Sequence, residues 1–331
     1  MPSKPRVFIS RVIPQHAIDL LNRDTDLELN QEDKPLTKGD LIRRIQGKEG
    51  LVCLITDTVD DEVLASNRLL KVVSNVAVGY DNIDVRSATE KGIMVTNTPG
   101  VLTDTTADLT WALVMATARR IVEADRYTRA GKFKEWSISM FLGHDVYGKT
   151  LGICGFGRIG RALAKRARGF DMKVLYTDVI RTDQEVEREL GARFVDKDTL
   201  LRDSDFVTLH VPLIEDTVHY ISERELNLMK PTAYLINASR GPVVHEGALV
   251  KALREKKIAG AGLDVYEHEP TLSPGLADLE NVVLVPHIGS ASIETRTKMA
   301  VTAARNCIAA LKGERPPNLV NPDVLEEHPA P

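Results

Sequence analysis

The chain has 331 residues, 43% of them hydrophobic and 27% charged, and a net charge of −4. This length predicts two domains, each large enough to bury its own core. The charge balance excludes a broad basic surface for nucleic acid or an anionic membrane, and no apolar run approaches the ~18 residues of a membrane span.

The first part of the chain alternates short Val- and Ile-rich runs with amphipathic stretches. Helices are predicted at Thr37–Gln46, with Thr37 as N-cap, and at Val85–Lys91. Strands that are apolar on both faces and separated by helices indicate a parallel sheet. The predicted strands are Arg6–Arg11, Leu51–Thr56, Lys71–Val76 and Ile93–Asn97.

A single helix from about Asp104 to Ala130, long enough to bridge two domains, is predicted next. A second series of strands and helices follows it, and a last helix at Ser292–Lys312 precedes a Pro-rich tail. Six strands with intervening helices match a Rossmann sheet. They are Thr150–Cys154, Lys173–Thr177, Phe206–Val211, Ala233–Ala238, Ala259–Asp264 and Val282–Pro286.

The strongest local motif is Gly155-Phe156-Gly157-Arg158-Ile159-Gly160, between a predicted strand and a predicted helix. Its first glycine permits a tight turn, its second lets a pyrophosphate approach the backbone, and its third allows close helix–strand packing. The N-terminus of the following helix offers free N–H groups to phosphates. The motif therefore predicts a dinucleotide site.

Asp178 ends the next strand, near the ~20-residue spacing at which a ribose-binding acid is expected. A carboxylate there accepts hydrogen bonds from the ribose 2′-hydroxyl and repels a 2′-phosphate. The sequence therefore predicts NAD(H) as the preferred cofactor. Arg181, three residues later, would partly accommodate a 2′-phosphate, so NADP(H) stays open as a weaker alternative.

Two further polar residues follow predicted strands and are expected at the ligand-binding edge of the sheet. Arg240 precedes Gly241, and a guanidinium in that position suits bidentate binding of a carboxylate. His287 follows an apolar strand and suits an acid/base. Glu267 or Glu269 would orient it and stabilise its protonated form.

Spacing alone does not choose between these two glutamates, and His268 remains a rival acid/base. The cysteines Cys53, Cys154 and Cys307 are odd in number, widely spaced and without a CxxC pair. They are expected to be buried free thiols in a reducing compartment. No secretory signal is apparent, so a cytoplasmic protein is expected, and no metal site is predicted.

Six stretches, in order along most of the chain, resemble the D-isomer-specific 2-hydroxyacid dehydrogenases, particularly their glyoxylate/hydroxypyruvate reductase branch. They are Val78–Asp84, Asn97–Asp104, Gly155–Gly160, Asn237–Gly241, Gly262–Val265 and Pro286–Ser290. The resemblance implies an α/β fold with two Rossmann-like, doubly wound parallel-sheet domains separated by a cleft.

The same resemblance implies roles for individual residues. Arg240 would bind the substrate carboxylate, Glu269 would be the partner of the histidine, and His287 would donate the proton. Further substrate contacts are implied at Val78, Gly79 and Ser290. Beyond the glycine motif and Asp178, cofactor contacts are implied at Thr106, Val211, Pro212, Ala238, Ser239, Arg240, Asp264 and His287, with Asp264 on the nicotinamide carboxamide.

By resemblance, residues 1–99 plus 288–331 form a flavodoxin-like substrate domain, and residues 100–287 form the NAD-binding Rossmann domain. A homodimer through the nucleotide domain is implied, and in relatives the segment matching Trp136–Leu142 reaches the partner's site. Here Met140 aligns near a relative's substrate-facing Trp. Archaeal-type reductases carry a small residue and Arg in place of Asp178-Val179, which again favours NADH.

The expected function is NADH-dependent reduction of a small 2-oxo acid, glyoxylate or hydroxypyruvate, to the D-2-hydroxy acid. The alternatives within the same family are 3-phosphoglycerate, D-lactate and formate dehydrogenases. A non-catalytic NAD-sensing scaffold is the alternative from another class, and turnover of NADH with glyoxylate distinguishes it. Neither nucleic acid nor membrane is an expected partner.

Overall fold

The structure, a computed structural model, describes residues 4–328. The chain forms two compact units. Unit 1 ends at Leu102 and resumes at Ala291, and unit 2 runs Thr103–Ser290. These limits lie a few residues from the domain boundaries expected from the sequence. Within residues 4–328, no helix combines the length and apolarity needed to cross a lipid bilayer.

All strands of both units are parallel to their sheet neighbours. In unit 1 they are β1 Arg6–Ile9, β2 Asp26–Leu29, β3 Gly50–Cys53, β4 Val72–Asn75 and β5 Met94–Thr96. In unit 2 they are β6 Thr150–Cys154, β7 Lys173–Thr177, β8 Ala192–Phe194, β9 Phe206–Leu209, β10 Tyr234–Asn237, β11 Gly260–Leu263 and β12 Val282–Leu284.

The α-helices lie between the strands, and the last two close unit 1. They are α1 Gln15–Asp24, α2 Lys38–Ile45, α3 Asp61–Ala65, α4 Val85–Glu90, α5 Thr103–Ala118, α6 Ile121–Arg129, α7 Arg158–Ala167, α8 Gln184–Leu190, α9 Lys197–Asp203, α10 Glu223–Leu228, α11 Glu246–Arg254, α12 Ile293–Leu311 and α13 Val324–Glu327.

The sheet of unit 1 has the order β2-β1-β3-β4-β5, the flavodoxin-like order. Alternate residues of each strand face opposite helical layers. Val7 and Val52 pack with α1 and α12, whereas Phe8 and Leu51 pack with α2 and α3. Burying each of these side chains contributes about 1.5–3 kcal/mol, and the two-sided burial explains the continuous apolar runs. Thr37 is the N-cap of α2, as predicted.

The sheet of unit 2 has the order β12-β11-β10-β9-β6-β7-β8. All six strands predicted for this region are present, and the expected architecture of two parallel-sheet α/β domains is confirmed. The order reverses between β6 and β9, which is the point where open parallel sheets bind ligands. β8 at one edge was not predicted, and neither was β2 at the edge of the other sheet.

The prediction of one helix from Asp104 to Ala130 was wrong. The helix breaks between α5 and α6, where Arg120 has φ +52°. The carbonyl of Ala118, near the break, accepts a hydrogen bond from His144 N at 2.9 Å. A contact with a distant segment thus takes the place of the next helical hydrogen bond, and nothing local in the sequence signals it.

The three cysteines are free and buried, as predicted. Burial raises the pKa of the Cys154 and Cys307 thiols to about 12. They are therefore uncharged at neutral pH and pack as small apolar side chains.

Candidate active site

The loop after β6 has the geometry that its glycines predict. Gly155 has φ +92°, and a Cβ there would lie 2.7 Å from the backbone of His210. A Cβ on Gly160 would lie 2.3 Å from the Gly155 oxygen, so α7 packs directly on the loop. By contrast, a Cβ on Gly157 would meet nothing within 4 Å. The backbone at Gly157 therefore stands beside open space of the kind a pyrophosphate requires.

The N-terminus of α7 faces the same loop. Gly157 is its N-cap and supplies no side-chain hydrogen bond to the first turn. The N–H groups of the first helical turn thus have no side-chain cap and carry the partial positive charge of the helix end. This part of the site fits the phosphates of a dinucleotide.

Asp178 follows β7 and lies against the glycine loop. Its Oδ2 accepts a hydrogen bond from Phe156 N at 2.6 Å, and the side chain is half-buried. The neighbouring Arg181 is bound by Glu187, whose two carboxylate oxygens accept from the guanidinium at 2.9 Å each. The carboxylate of Asp178 is thus fixed beside the loop, and the cation nearest to it in sequence has an acidic partner of its own.

His287 lies just beyond β12 with φ +52°, a conformation that non-glycine residues adopt rarely. Its backbone N donates to Asp264 O at 2.9 Å. The next two amides, of Ile288 and Gly289, donate to the Asp264 carboxylate at 2.6 and 2.8 Å. These bonds hold the backbone around the imidazole. Burial raises the pKa of Asp264, while the two amides favour its charged form.

The imidazole of His287 is oriented by Glu269. His287 Nδ1 lies 2.9 Å from Glu269 Oε2, and Glu269 Oε1 accepts from Tyr266 N at 3.0 Å. Burial raises the pKa of Glu269, but hydrogen bonding to His287, the amide of Tyr266 and the charge of Arg240 bring it below its usual value. Glu269 is therefore ionised at neutral pH, and Nε2 is the ring nitrogen left for a substrate.

Arg240 follows β10 in a loop held by Asn237. Asn237 Oδ1 accepts from Ser239 N at 3.0 Å, and its Nδ2 donates to Arg240 O at 2.9 Å. A Cβ on Gly241 would lie 1.7 Å from Tyr266 O, so only glycine fits here. The loop with Arg240 therefore packs backbone to backbone on the loop with Glu269.

The geometry distinguishes the alternatives that spacing left open. Glu269 contacts His287, whereas Glu267 contacts His219, with 2.5 Å between its Oε1 and the ring Nε2. His268 is exposed. Sequence reasoning assigned no role to Asn237, Glu246 or His219. Asn237 belongs to the stretch Asn237–Gly241 that carried the family resemblance, but no sequence motif includes Glu246 or His219.

The remaining expected cofactor positions lie in unit 2. Thr106 is buried in the first turn of α5 and lies beside Gly289: a Cβ added to this glycine would be 3.5 Å from Thr106 Cγ2. Val211 and Pro212 follow β9, and the Pro212 carbonyl accepts from Thr217 Oγ1 at 2.6 Å. Ala238 and Ser239, two more of the expected cofactor positions, follow β10. Ser290, which was expected to contact the substrate, ends unit 2.

His210 also stands at the end of β9, beside Gly155. Burial lowers the pKa of its imidazole to about 4, so the ring is neutral and adds no charge to this edge of the sheet. Within residues 4–328, no group of three or more His, Cys, Asp and Glu side chains is arranged to hold a metal ion.

Val78 and Gly79, expected to bind substrate, belong to unit 1. The Val78 carbonyl accepts from Asn97 Nδ2 at 2.8 Å, and the Gly79 carbonyl accepts from Asn75 Nδ2 at 2.9 Å. Both carbonyls of the loop are thus tied to asparagines that follow or end strands of this unit. The loop conformation is fixed by these side chains.

The chain is similar to known proteins over almost its full length. It is 55% identical over 330 residues to glyoxylate reductase of Thermococcus litoralis, covering 98% of this chain and 99% of the relative. The crystal structure of the TT0316 protein from Thermus thermophilus matches with a TM-score of 0.90 at 42% identity, covering 95% and 99% of the two chains. An NADPH-dependent glyoxylate/hydroxypyruvate reductase from Sinorhizobium meliloti, in complex with NADP and malonate, matches with a TM-score of 0.86 at 29% identity, covering 96% and 97%.

A sequence model for the NAD binding domain of D-isomer specific 2-hydroxyacid dehydrogenases matches residues 111–289, most of unit 2. The glycine loop and the parallel sheet that carries it define a dinucleotide-binding domain. The family model and the glyoxylate reductase relatives place the chain among the nicotinamide-dependent oxidoreductases. Within that class, the chain belongs to the D-isomer specific 2-hydroxyacid dehydrogenase family.

Proposed function

We propose that this enzyme uses NADH to reduce a small 2-oxo acid to the D-2-hydroxy acid. Glyoxylate is the first candidate substrate and hydroxypyruvate the second. The observation that carries the proposal is the 2.9 Å contact between His287 Nδ1 and Glu269 Oε2 at the edge where the glycine loop lies. The name of the Thermococcus litoralis relative supports glyoxylate.

The residues of the glycine loop fit a nicotinamide dinucleotide, which supplies a hydride when bound. Gly157 and the first turn of α7 would hold its phosphates, and Asp178 its ribose. The further contacts at Thr106, Val211, Pro212, Ala238, Ser239 and Asp264 remain part of the proposal. Asp264 would bind the carboxamide.

The substrate carboxylate would bind Arg240, with the amides of Val78 and Gly79 and the hydroxyl of Ser290 as further donors. A guanidinium forms two parallel hydrogen bonds with a carboxylate and so fixes its orientation. His287 would donate a proton from Nε2 to the carbonyl oxygen as the carbonyl carbon is reduced. Ionised Glu269 would stabilise the imidazolium and hold its ring in place.

The preference for NADH rests on two acidic residues. Asp178 would repel a 2′-phosphate, and both carboxylate oxygens of Glu187 accept from one edge of the Arg181 guanidinium, from Nε and Nη2, at 2.9 Å each. Hydrogen bonds from Arg181, and then from Tyr176, lower the pKa of Glu187 to about 2, so this pair stays charged at neutral pH. Arg181 is therefore occupied, and we expect NADPH to be the weaker cofactor.

The test is NADH and NADPH oxidation with glyoxylate, hydroxypyruvate, pyruvate and phosphohydroxypyruvate, each over a range of concentrations. We expect the highest kcat/KM with NADH and glyoxylate. A preference for pyruvate or phosphohydroxypyruvate would assign the enzyme to another branch of the family. Binding of NADH without turnover of any 2-oxo acid would favour a non-catalytic scaffold.

We also propose a homodimer formed through unit 2. α6 has no buried residue, and the segment after it exposes large apolar side chains. The exposed fractions are 53% for Phe133, 74% for Trp136, 80% for Ile138 and 66% for Leu142. A surface of this kind is typical of a subunit interface. Replacing Trp136 and Ile138 by Ser should yield monomers in light scattering; unchanged mass would refute this interface.

We further propose a cytoplasmic location. Its support is the three buried free cysteines, which are typical of proteins in a reducing compartment. Cell fractionation with an antibody to the protein tests this location, and recovery outside the cytoplasm would contradict it.

A further inference from the structure

Two glutamates of unit 2 bind each other's backbone. Glu246 Oε1 accepts from Glu267 N at 2.6 Å, and Glu267 Oε2 accepts from Glu246 N at 2.9 Å. We refer to Glu246 and Glu267 as the carboxylate clamp. The reciprocal bonds join the start of α11 to the loop that follows β11, two segments far apart in sequence.

The clamp encloses the loop that carries Glu269. Besides Glu267 N, Glu246 accepts a hydrogen bond from Ser273 N through Oε2 at 3.2 Å. One carboxylate therefore bridges the amides on either side of Glu269 in the chain. Glu246 is only 2% exposed, so its hydrogen bonds are shielded from water and stronger than surface ones.

The outer part of the clamp is held by histidines. Glu267 Oε1 lies 2.5 Å from His219 Nε2, and the His219 ring packs edge-on against His245 at 4.6 Å. Burial raises the pKa of Glu267, but the Glu246 amide and His219 bring it below its usual value. Glu267 is thus ionised at neutral pH and accepts hydrogen bonds from the Glu246 amide and from His219.

We propose that Glu246 and Glu267 are positioning residues that hold Glu269 at hydrogen-bonding distance from His287. This inference rests on the function proposed above. Neither residue of the clamp touches His287; each acts through the Tyr266–Ser273 backbone.

Glu246→Gln tests the proposal with little change in volume. A carboxylate accepts from both amides, whereas a carboxamide must turn its own NH2 toward one of them. Glu225→Gln is the matched control: Glu225 is 8% exposed, is also in the first turn of a helix and also accepts a backbone N–H, but caps α10 instead.

With NADH and glyoxylate, we expect Glu246→Gln to lower kcat about 30-fold while the KM for glyoxylate and the Kd for NADH change by less than about threefold. Glu225→Gln should keep kcat within about twofold. Thermal unfolding of both variants shows whether they differ in stability. Equal kcat in the two variants would overturn the proposal.

A double-mutant cycle separates positioning from general destabilisation. If Glu246 acts through Glu269, adding Glu246→Gln to Glu269→Gln should lower kcat by less than about threefold more. A further loss as large as in the wild-type background would contradict the clamp mechanism.

Proton NMR gives a readout that does not depend on turnover. The Nδ1 proton of His287, assigned by its loss in His287→Gln, should be visible in the wild type and in Glu225→Gln, and absent in Glu246→Gln because of faster exchange. If the wild type reduces no 2-oxo acid, the proposed function fails while this signal still tests the clamp. Persistence of the signal in Glu246→Gln would refute the clamp.

Discussion

The first strand–helix turns of the two units occupy equivalent places in similar sheets but differ in chemistry. In unit 1, β1 leads through Ser10 to α1, and the Ser10 hydroxyl donates to the buried Asp57. In unit 2, β6 leads through the glycine loop to α7, with open space at Gly157. The unit 1 turn is closed by side chains, whereas the unit 2 turn leaves its backbone accessible.

The two units differ in the same way at the residue that follows the next strand, β2 in unit 1 and β7 in unit 2. Asn30, after β2, is 3% exposed, and its Nδ2 donates to Ser10 O at 2.9 Å. Asp178, after β7, accepts from Phe156 N at 2.6 Å and is half-buried. The amide completes a core, whereas the carboxylate borders the proposed cofactor site. The comparison teaches that shared topology does not determine which sheet binds a ligand; the loop residues do.

The largest expected effect concerns the proposed proton donor, His287, which lies in unit 2. His287→Ala should lower kcat by about 10³-fold, because general acid catalysis is lost, while the Kd for NADH stays within about twofold. Steady-state rates and NADH fluorescence measure both. His268→Ala is the control, since His268 is exposed and close in sequence, and it should keep kcat within about twofold. Comparable losses in both variants would contradict the assignment.

The second-largest effect is expected when a side chain fills the open space at the glycine loop of unit 2. Gly157→Val places a branched side chain where the pyrophosphate would lie, and we expect the Kd for NADH to rise about 100-fold, or about 2.7 kcal/mol. The melting temperature should hardly change, because the space is empty. Gly169→Ala, at another uncrowded glycine, should change neither quantity. Unaltered NADH affinity in Gly157→Val would place the cofactor elsewhere.

When Asn30 of unit 1 is replaced by aspartate, the residue at the equivalent place in unit 2, we expect the protein to lose stability and to keep its activity. Asn30→Asp removes the donor to Ser10 O and buries a carboxylate, so we expect a loss of about 2 kcal/mol in the free energy of unfolding. Urea denaturation measures it. Asn22→Asp, at an exposed position, should cost less than about 0.5 kcal/mol. Equal stabilities would mean that Asn30 does not close the turn.

The smallest effect is expected for the reverse exchange, in which the aspartate of unit 2 is replaced by asparagine. Asp178→Asn retains an acceptor for Phe156 N but removes the charge. We expect the preference for NADH over NADPH, as a ratio of kcat/KM, to fall about tenfold, or about 1.4 kcal/mol. Asp183→Asn is the control, because it removes a charge close in sequence at an N-cap residue that makes no side-chain hydrogen bond. A ratio that falls equally in both would attribute selectivity to overall charge.

Sequence patterns predicted the buried strands of both sheets but missed β2 and β8. Both are edge strands, and neither is buried along its whole length. Both contain charged residues, so neither forms an apolar run, whereas β5 and β12, edge strands that were predicted, do form one. The break at Arg120 was missed because the Ala118 carbonyl accepts its hydrogen bond from His144 N, a distant residue that no local pattern reveals.

In the candidate site, the motif at Gly155–Gly160 was readable because Gly155 and Gly160 answer local steric demands, and Gly157 leaves the backbone beside open space. The contact of Glu269 with His287 was suggested by resemblance, since spacing also allowed Glu267. The clamp was not predictable from the chain alone. Its carboxylates accept from backbone amides, which every residue except proline possesses, so no side-chain pattern marks them.

The most direct test of the account is transfer of deuterium from NADH labelled at C4 to glyoxylate in a single turnover, followed by mass spectrometry of the product. The account predicts glycolate with one deuterium at C2 for the wild-type enzyme and none on the same timescale for His287→Ala, which still binds NADH. Bound NADH that delivers no label to glyoxylate or to any other 2-oxo acid would contradict it.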